Sequence, residues 1–220
     1  MQILRKSLSL FVLLLIAIAS VANHFEGQIT FVRKSFYDTT YLQYYIKQDR
    51  IRIDKYEEKG GPLIQTLLVD LEKETVTAVN PEKKLYRPLN ISSGGSGKKS
   101  HFEVIKTNNF RRIKGIKCYQ WRVRNEKLNS EIAYWVTKKR FGFFDDLFDL
   151  LKRTERTYHF FSQIPGNEGY FPMLAVERTL LRDERERLEV KNINRNKLSE
   201  SLFIIPDNYR ELLLSQKIRN

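Results

Sequence analysis

The chain is poor in the residues that carry most recognisable chemistry. It has one cysteine, Cys118, so no internal disulfide can form and the fold must stand on its hydrophobic core. Apolar and aromatic neighbours around Cys118 suit a buried, inert thiol; a reactive or intermolecular thiol is the sharper alternative. The three histidines, His24, His101 and His159, are not spaced as metal ligands on a helix or strand, and Cys118 has no partner cysteine, so no metal and no cofactor are implied. A Gly-x-Ser-x-Gly elbow is absent, which removes one common signal of acyl transfer and leaves an envelope hydrolase as the weakest function class. The sequence shows no repeat of 20–50 residues, which argues against solenoids and propellers.

What is present begins with an export signal. Arg5 and Lys6 precede a run, Leu8 to Ala19, that is apolar apart from Ser9. Ser20-Val21-Ala22 follows with small residues where a signal peptidase cuts. The run is shorter than the roughly 20 residues that span a bilayer. A signal peptide over 1–22 is expected, leaving one domain over 23–220; an uncleaved anchor is the alternative. No cysteine lies near the cut, so the protein is not expected to be lipid-anchored. The formal charge is +13, and loss of Arg5 and Lys6 leaves +11. Such a balance suits nucleic acid, an anionic membrane surface, or plain solubility. Export argues against nucleic acid, and the basic residues are scattered rather than gathered in a tail.

Period-two alternation recurs along the chain. Phe25, Gly27, Ile29 and Phe31 alternate with polar residues, and Thr39 to Lys47 and Arg50 to Tyr56 follow across a Gln48-Asp49 turn. Further strands are expected at 63–71, 75–79, 84–87, 101–107, 110–116, 118–124, 130–137, 172–181, 184–194 and 202–205, with a closing helix over 208–217 capped by Asp207. Ser92 to Gly97 with Lys98 and Lys99 has the composition of a flexible loop, and its spacing does not fit a phosphate-binding one. Eleven or twelve short strands at meander spacing predict a mainly β fold, a curved antiparallel sheet, with one helical insertion at about 141–163.

That insertion is the segment around which the chain is organised. Phe144, Leu147, Phe148 and Leu151 share one helix face, and Asp145, Asp146 and Asp149 the other. The acidic residues suit a solvated face near a helix N-terminus, and they lack the ligand spread of a calcium loop. With Phe141, Phe143 and Leu150 added, the segment carries more apolar residues than one face holds. Either it is buried from two sides, or it is a lid, or a surface for a partner or membrane. Phe141, Phe144, Leu147, Phe148 and Leu151 are therefore the candidate ligand or lid residues. If the helix is a movable lid, Phe144→Asp with Phe148→Asp abolishes capture while the sheet still folds.

Several segments together carry a resemblance. They are Tyr45-Ile46-Lys47 with Asp49 and Arg52-Ile53, and Val69-Asp70-Leu71 leading to Asn80-Pro81-Glu82-Lys83-Lys84-Leu85-Tyr86. Ile113 to Val123, with Gly115, Cys118 and Trp121, is the most distinctive; Trp135-Val136-Thr137 and Phe203-Ile204-Ile205-Pro206-Asp207-Asn208-Tyr209 complete the set. In order and spacing, from Phe25 to Tyr209, the chain resembles an exported bacterial family known only as a domain of unknown function, similar in turn to LolA/LolB-type lipoprotein carriers. The resemblance implies a half-open β-barrel covered by a helix, in a Gram-negative periplasm, with a hollow that in the carriers holds lipid chains. The expected function is a periplasmic binding or carrier protein for a lipid, another apolar ligand or a lipidated protein. The alternative is a cell-envelope interaction module with a filled barrel, docking a protein through its apolar helix.

Overall fold

A computed structural model describes residues 25–91, 101–138, 141–152 and 154–213. The expected signal peptide and the Ser/Gly loop lie outside them. Twelve strands form one sheet: β1 (Gly27–Ser35), β2 (Thr39–Lys47), β3 (Arg50–Tyr56), β4 (Leu63–Asp70), β5 (Thr75–Asn80), β6 (Leu85–Leu89), β7 (Glu103–Ile113), β8 (Ile116–Asn125), β9 (Ser130–Thr137), β10 (Phe171–Arg178), β11 (Glu184–Asn194) and β12 (Arg210–Glu211). Their spatial order is β12-β6-β5-β4-β3-β2-β1-β11-β10-β9-β8-β7. Two meanders thus meet where β1 pairs with β11, and the sheet is open, with β12 and β7 at its edges.

The local chemistry explains the pairing. Thr40, Leu42, Tyr44 and Ile46 are buried on alternate positions of β2, a period that fits one strand face. The β7–β8 hairpin closes through Lys114 and Gly115, both at positive φ (50° and 74°), the tight-turn geometry whose twist matches its strands. Gly27 admits no side chain, since a Cβ there would stand 2.0 Å from the carbonyl oxygen of Asn194 on the paired strand. Register shifts interrupt β1–β11 at Thr30/Phe31 and β9–β10 at Pro172/Leu174. Extra residues of this kind bend a strand, and Pro172 sits where its missing N–H does least harm.

Four expectations need correction. The insertion is not one helix; it is α1 (Phe143–Leu151) and α2 (Arg156–Phe161). They are separated by an extended Glu155 whose carboxylate is held by Arg33 at 2.8 Å. The stretches expected at 101–107 and 110–116 merge into one long strand, β7, that ends at Ile113 and shifts register between Lys106 and Phe110, while Ile116 already begins β8. At the C-terminal end, Glu200–Phe203 is a 3-10 turn, not a strand, with Ser199 accepting from the Ser201 N–H. Nor does a helix begin at 208. Arg210 N–H donates to Lys84 O (3.0 Å) and Leu212 N–H to Tyr86 O (2.7 Å), so the open edge of β6 holds this segment as a strand; 214–217 lie outside the described residues.

This tail crosses the outer face on its way to that edge. Lys47 Nζ donates to Leu198 O at 2.7 Å and Arg52 to Leu202 O at 3.1 Å. Beneath it Asp54 is buried, accepting from Arg52 (2.9 Å) and Thr66 (2.6 Å). Burial first, then the Asp54 charge, pushes the Tyr56 hydroxyl up to about 12. The opposite, inner face carries the helices, and the two meanders and both helices share one continuous apolar core.

Candidate functional site

The five candidate residues are all inside. Phe141, Phe144, Leu147, Phe148 and Leu151 are each no more than 8% exposed. Phe141 stacks on Phe171 of β10 (ring centroids 4.3 Å) and Phe144 meets the same ring edge-on at 5.1 Å. On its other side α1 packs on α2, Phe148 against Phe161 at 5.5 Å and Phe144 against Tyr158 at 6.0 Å. The surplus of apolar residues is thus absorbed by burial from two sides. Phe143, one of the surplus residues off the Phe144 face, packs between Phe25 and Phe171. Only about 10 Å³ remains open where Phe31, Tyr44, Phe144 and Phe171 converge.

Polar contacts tie α2 to the floor. Tyr134 donates its hydroxyl hydrogen to Thr157 O at 2.6 Å, and the hydroxyls of Tyr44 and Tyr158 lie 3.4 Å apart, all three tyrosines buried. Arg156 pairs with buried Glu177 at 2.9 Å, which also accepts from Ser130 at 2.7 Å. Arg33 is shared by Glu155 (2.8 Å) and Glu186 (3.8 Å). Burial alone would depress the Arg33 guanidinium; the two carboxylates more than reverse this and keep it cationic. For Glu186, burial outweighs the attraction of Arg33 and raises its carboxyl above the ordinary range.

Beside this anchor the inner face opens. A cleft of about 150 Å³ lies between Leu42, Ile53 and Leu67 of the sheet and Leu151 and Tyr158 of the helices. Arg33, Lys55 and Gln65 stand on its rim, and Lys55 has no ion-pair partner among the described residues. Of the five candidates, Leu151 lines the cleft and Phe144 the narrow space beyond it. Sequence reasoning missed Leu42, Ile53, Leu67 and Lys55. Their alternation marked an inner face, but nothing local told which strands lie beside the end of α1.

The remaining candidates are ordinary. Asp146 and Asp149 are exposed on α1, while Asp145 accepts from Gly169 N–H at 2.9 Å and is raised by partial burial. Among the described residues no cluster of three or more His, Cys, Asp or Glu could hold a metal ion, and no helix is long and apolar enough to cross a membrane. Cys118 is buried.

Comparison with known proteins agrees with the motifs. The model of a domain of unknown function, DUF4412, matches residues 25–209, the stretch the motifs marked out. No curated protein matches the sequence. Among solved structures, the Pseudomonas aeruginosa MucA/MucB complex is similar with a TM-score of 0.50 at 10% identity, over 87% of this chain and 59% of the other. The chain thus spans about three-fifths of the length of the chain it matches, and at this identity the likeness is one of fold. A putative outer membrane lipoprotein-sorting protein domain from Vibrio parahaemolyticus is also similar, at 8% identity and a TM-score of 0.32, over 80% of this chain and 87% of that one.

Proposed function

The chain belongs to the DUF4412 family, and on that footing we propose that it is an exported, non-enzymatic binding protein of the periplasm. Its half-barrel takes the apolar end of an amphiphile, a lipid or a lipidated partner, at the edge of the helical roof. The observation that carries this reading is the cleft, with apolar walls from both layers and a free lysine on its rim. Its size sets what it can hold. About 150 Å³ accommodates roughly five groups of water or methylene size. At about 0.8 kcal/mol each, their burial contributes about 4 kcal/mol, a Kd near 1 mM. Tighter binding therefore needs the rim. Arg33 is already engaged by two carboxylates, so Lys55 is the group that meets an anionic head.

The test is a titration of the mature protein with a fluorescent acyl carboxylate, beside mass spectrometry of lipid extracted from purified protein. Leu67→Trp, which fills the cleft, and Lys55→Glu, which reverses its rim, should each weaken binding by about tenfold or more with the fold intact. Absence of binding to the wild type, or equal binding by both variants, rejects the cleft.

A second reading has its own support. The rings beneath α1 leave almost no space, as a solid docking module requires, and MucB, whose fold the chain resembles, forms a complex with MucA. Under that reading, extracts are free of lipid and a protein partner is retained whether or not Leu67 is replaced.

A further inference from the structure

Five turns gather at one end of the sheet, and three neighbours among them present apolar side chains to water. The β1–β2 turn carries Phe36 and Tyr37, which are 82% and 94% exposed; Leu181, in the β10–β11 turn, is 84% exposed, and Leu128, between β8 and β9, is 39% exposed. They account for four of the eight exposed large apolar residues among those described, so half are concentrated at one end. Pairing fixes their adjacency. Ser35 lies opposite Glu186, which lies opposite Glu177, and Leu180 N–H donates to the side chain of Asn129 at 3.2 Å.

The β1–β2 tip is closed by its own hydrogen bonds. The backbone N–H groups of Tyr37 and Asp38 donate to Ser35 Oγ at 3.2 and 3.1 Å, and Ser35 N–H donates to Asp38 O at 2.9 Å. The rings of Phe36 and Tyr37 meet edge to face at 5.2 Å. Two aromatic side chains are thus held out in water by a built turn, with exposed Lys34 before them and Asp38 after, and with Glu126 and Lys127 both exposed on the neighbouring β8–β9 turn.

One wall of the cleft lies toward this same end. Arg33 and Thr40, on its wall, face each other across β1 and β2, three residues before Phe36 and three after Tyr37. At about 3.3 Å per residue the wall lies roughly 10 Å from the tip.

We propose that this end of the protein docks on an anionic bilayer, with Phe36 and Tyr37 inserted at the headgroup level and Leu181 and Leu128 beside them. Separate apolar tips divided by polar turns lack the continuous patch that forms the core of a protein interface. A bilayer interface accepts them one by one, favours aromatic rings at that depth, and attracts a mature chain whose expected net charge is +11. Docking brings that wall of the cleft close to the lipid, which shortens an amphiphile's path into it. That consequence rests on the carrier reading; the docking does not.

Sedimentation with vesicles of phosphatidylglycerol and phosphatidylcholine tests the docking. The mature wild type should bind, more weakly on phosphatidylcholine alone, and Phe36→Ser with Tyr37→Ser should reduce binding about tenfold or more. Both residues are exposed, so melting should be unchanged. A Phe36→Trp variant should show blue-shifted emission on adding vesicles, quenched by brominated lipid. Vesicle binding unaltered by the double substitution, or emission that does not move, overturns the proposal. So does a protein partner retained through Phe36 without vesicle binding. Acyl carboxylate titration of the double variant separates the two readings: a failed cleft shows no binding in either protein, whereas failed docking leaves vesicle binding unchanged.

Discussion

Replacing Phe144 by alanine asks whether the helical roof is part of the core. The ring is 4% exposed and touches Phe148, Tyr158, Phe161 and Phe171, so its removal opens a void shared by α1, α2 and β10. Phe→Ala at such a site costs about 3–5 kcal/mol. Alanine favours a helix, so propensity adds nothing to the loss. Domains are stable by about 5–15 kcal/mol, and with a urea slope of about 2 kcal/mol per molar the midpoint should fall by about 1.5–2.5 M. Asp146→Ala, exposed on the same helix, should stay within about 0.5 kcal/mol. Equilibrium unfolding in urea, followed by far-ultraviolet circular dichroism and by tryptophan fluorescence, reads both. A loss for Phe144→Ala below about 1 kcal/mol, or helical signal lost ahead of the sheet, would mean that the roof lifts off independently. The double change Phe144→Asp with Phe148→Asp is accordingly expected to unfold the domain, contrary to the expectation for a movable lid.

Three further outcomes are expected. Tyr134→Phe removes the hydroxyl that donates to Thr157 O and should lower stability by about 1–2 kcal/mol, read as a drop in Tm; no drop would mean that the α2 anchor is not made in solution. Burial lifts Glu186 above its ordinary 4.5, so its contribution is complete below that pH and declines as pH rises through the folded pKa; Glu186→Gln should therefore gain Tm relative to wild type between pH 4 and pH 7, and a constant difference would contradict the shift. The Cys118 thiol, buried and raised by desolvation, should react with an aromatic disulfide roughly a hundredfold more slowly in native than in denatured protein; equal rates would show it exposed.

The strands were legible because alternation such as Leu42, Tyr44, Ile46 is a local signal, imposed by a backbone that turns its side chains over at every residue. The apolar face of α1 was legible for the same reason, at period 3.6. The break at Glu155 was not, since it depends on Arg33, 122 positions away. Nor was the end of the tail: 208–213 have helical composition, but the edge of β6 offers unpaired carbonyls that only the assembled sheet exposes.

By itself, then, the sequence determined which residues turn inward and that aromatic mass would sit between a helix and a sheet. Tertiary structure alone decided how much of that space is filled, which strands flank the opening that remains, and that Phe36, Leu128 and Leu181 come out at one end of the sheet, beyond its Arg33–Thr40 wall. The physical reason is range. Side-chain direction follows from adjacent backbone dihedrals, whereas a cleft or a cluster of tips exists only once pairing such as β1 with β11 has brought distant segments together.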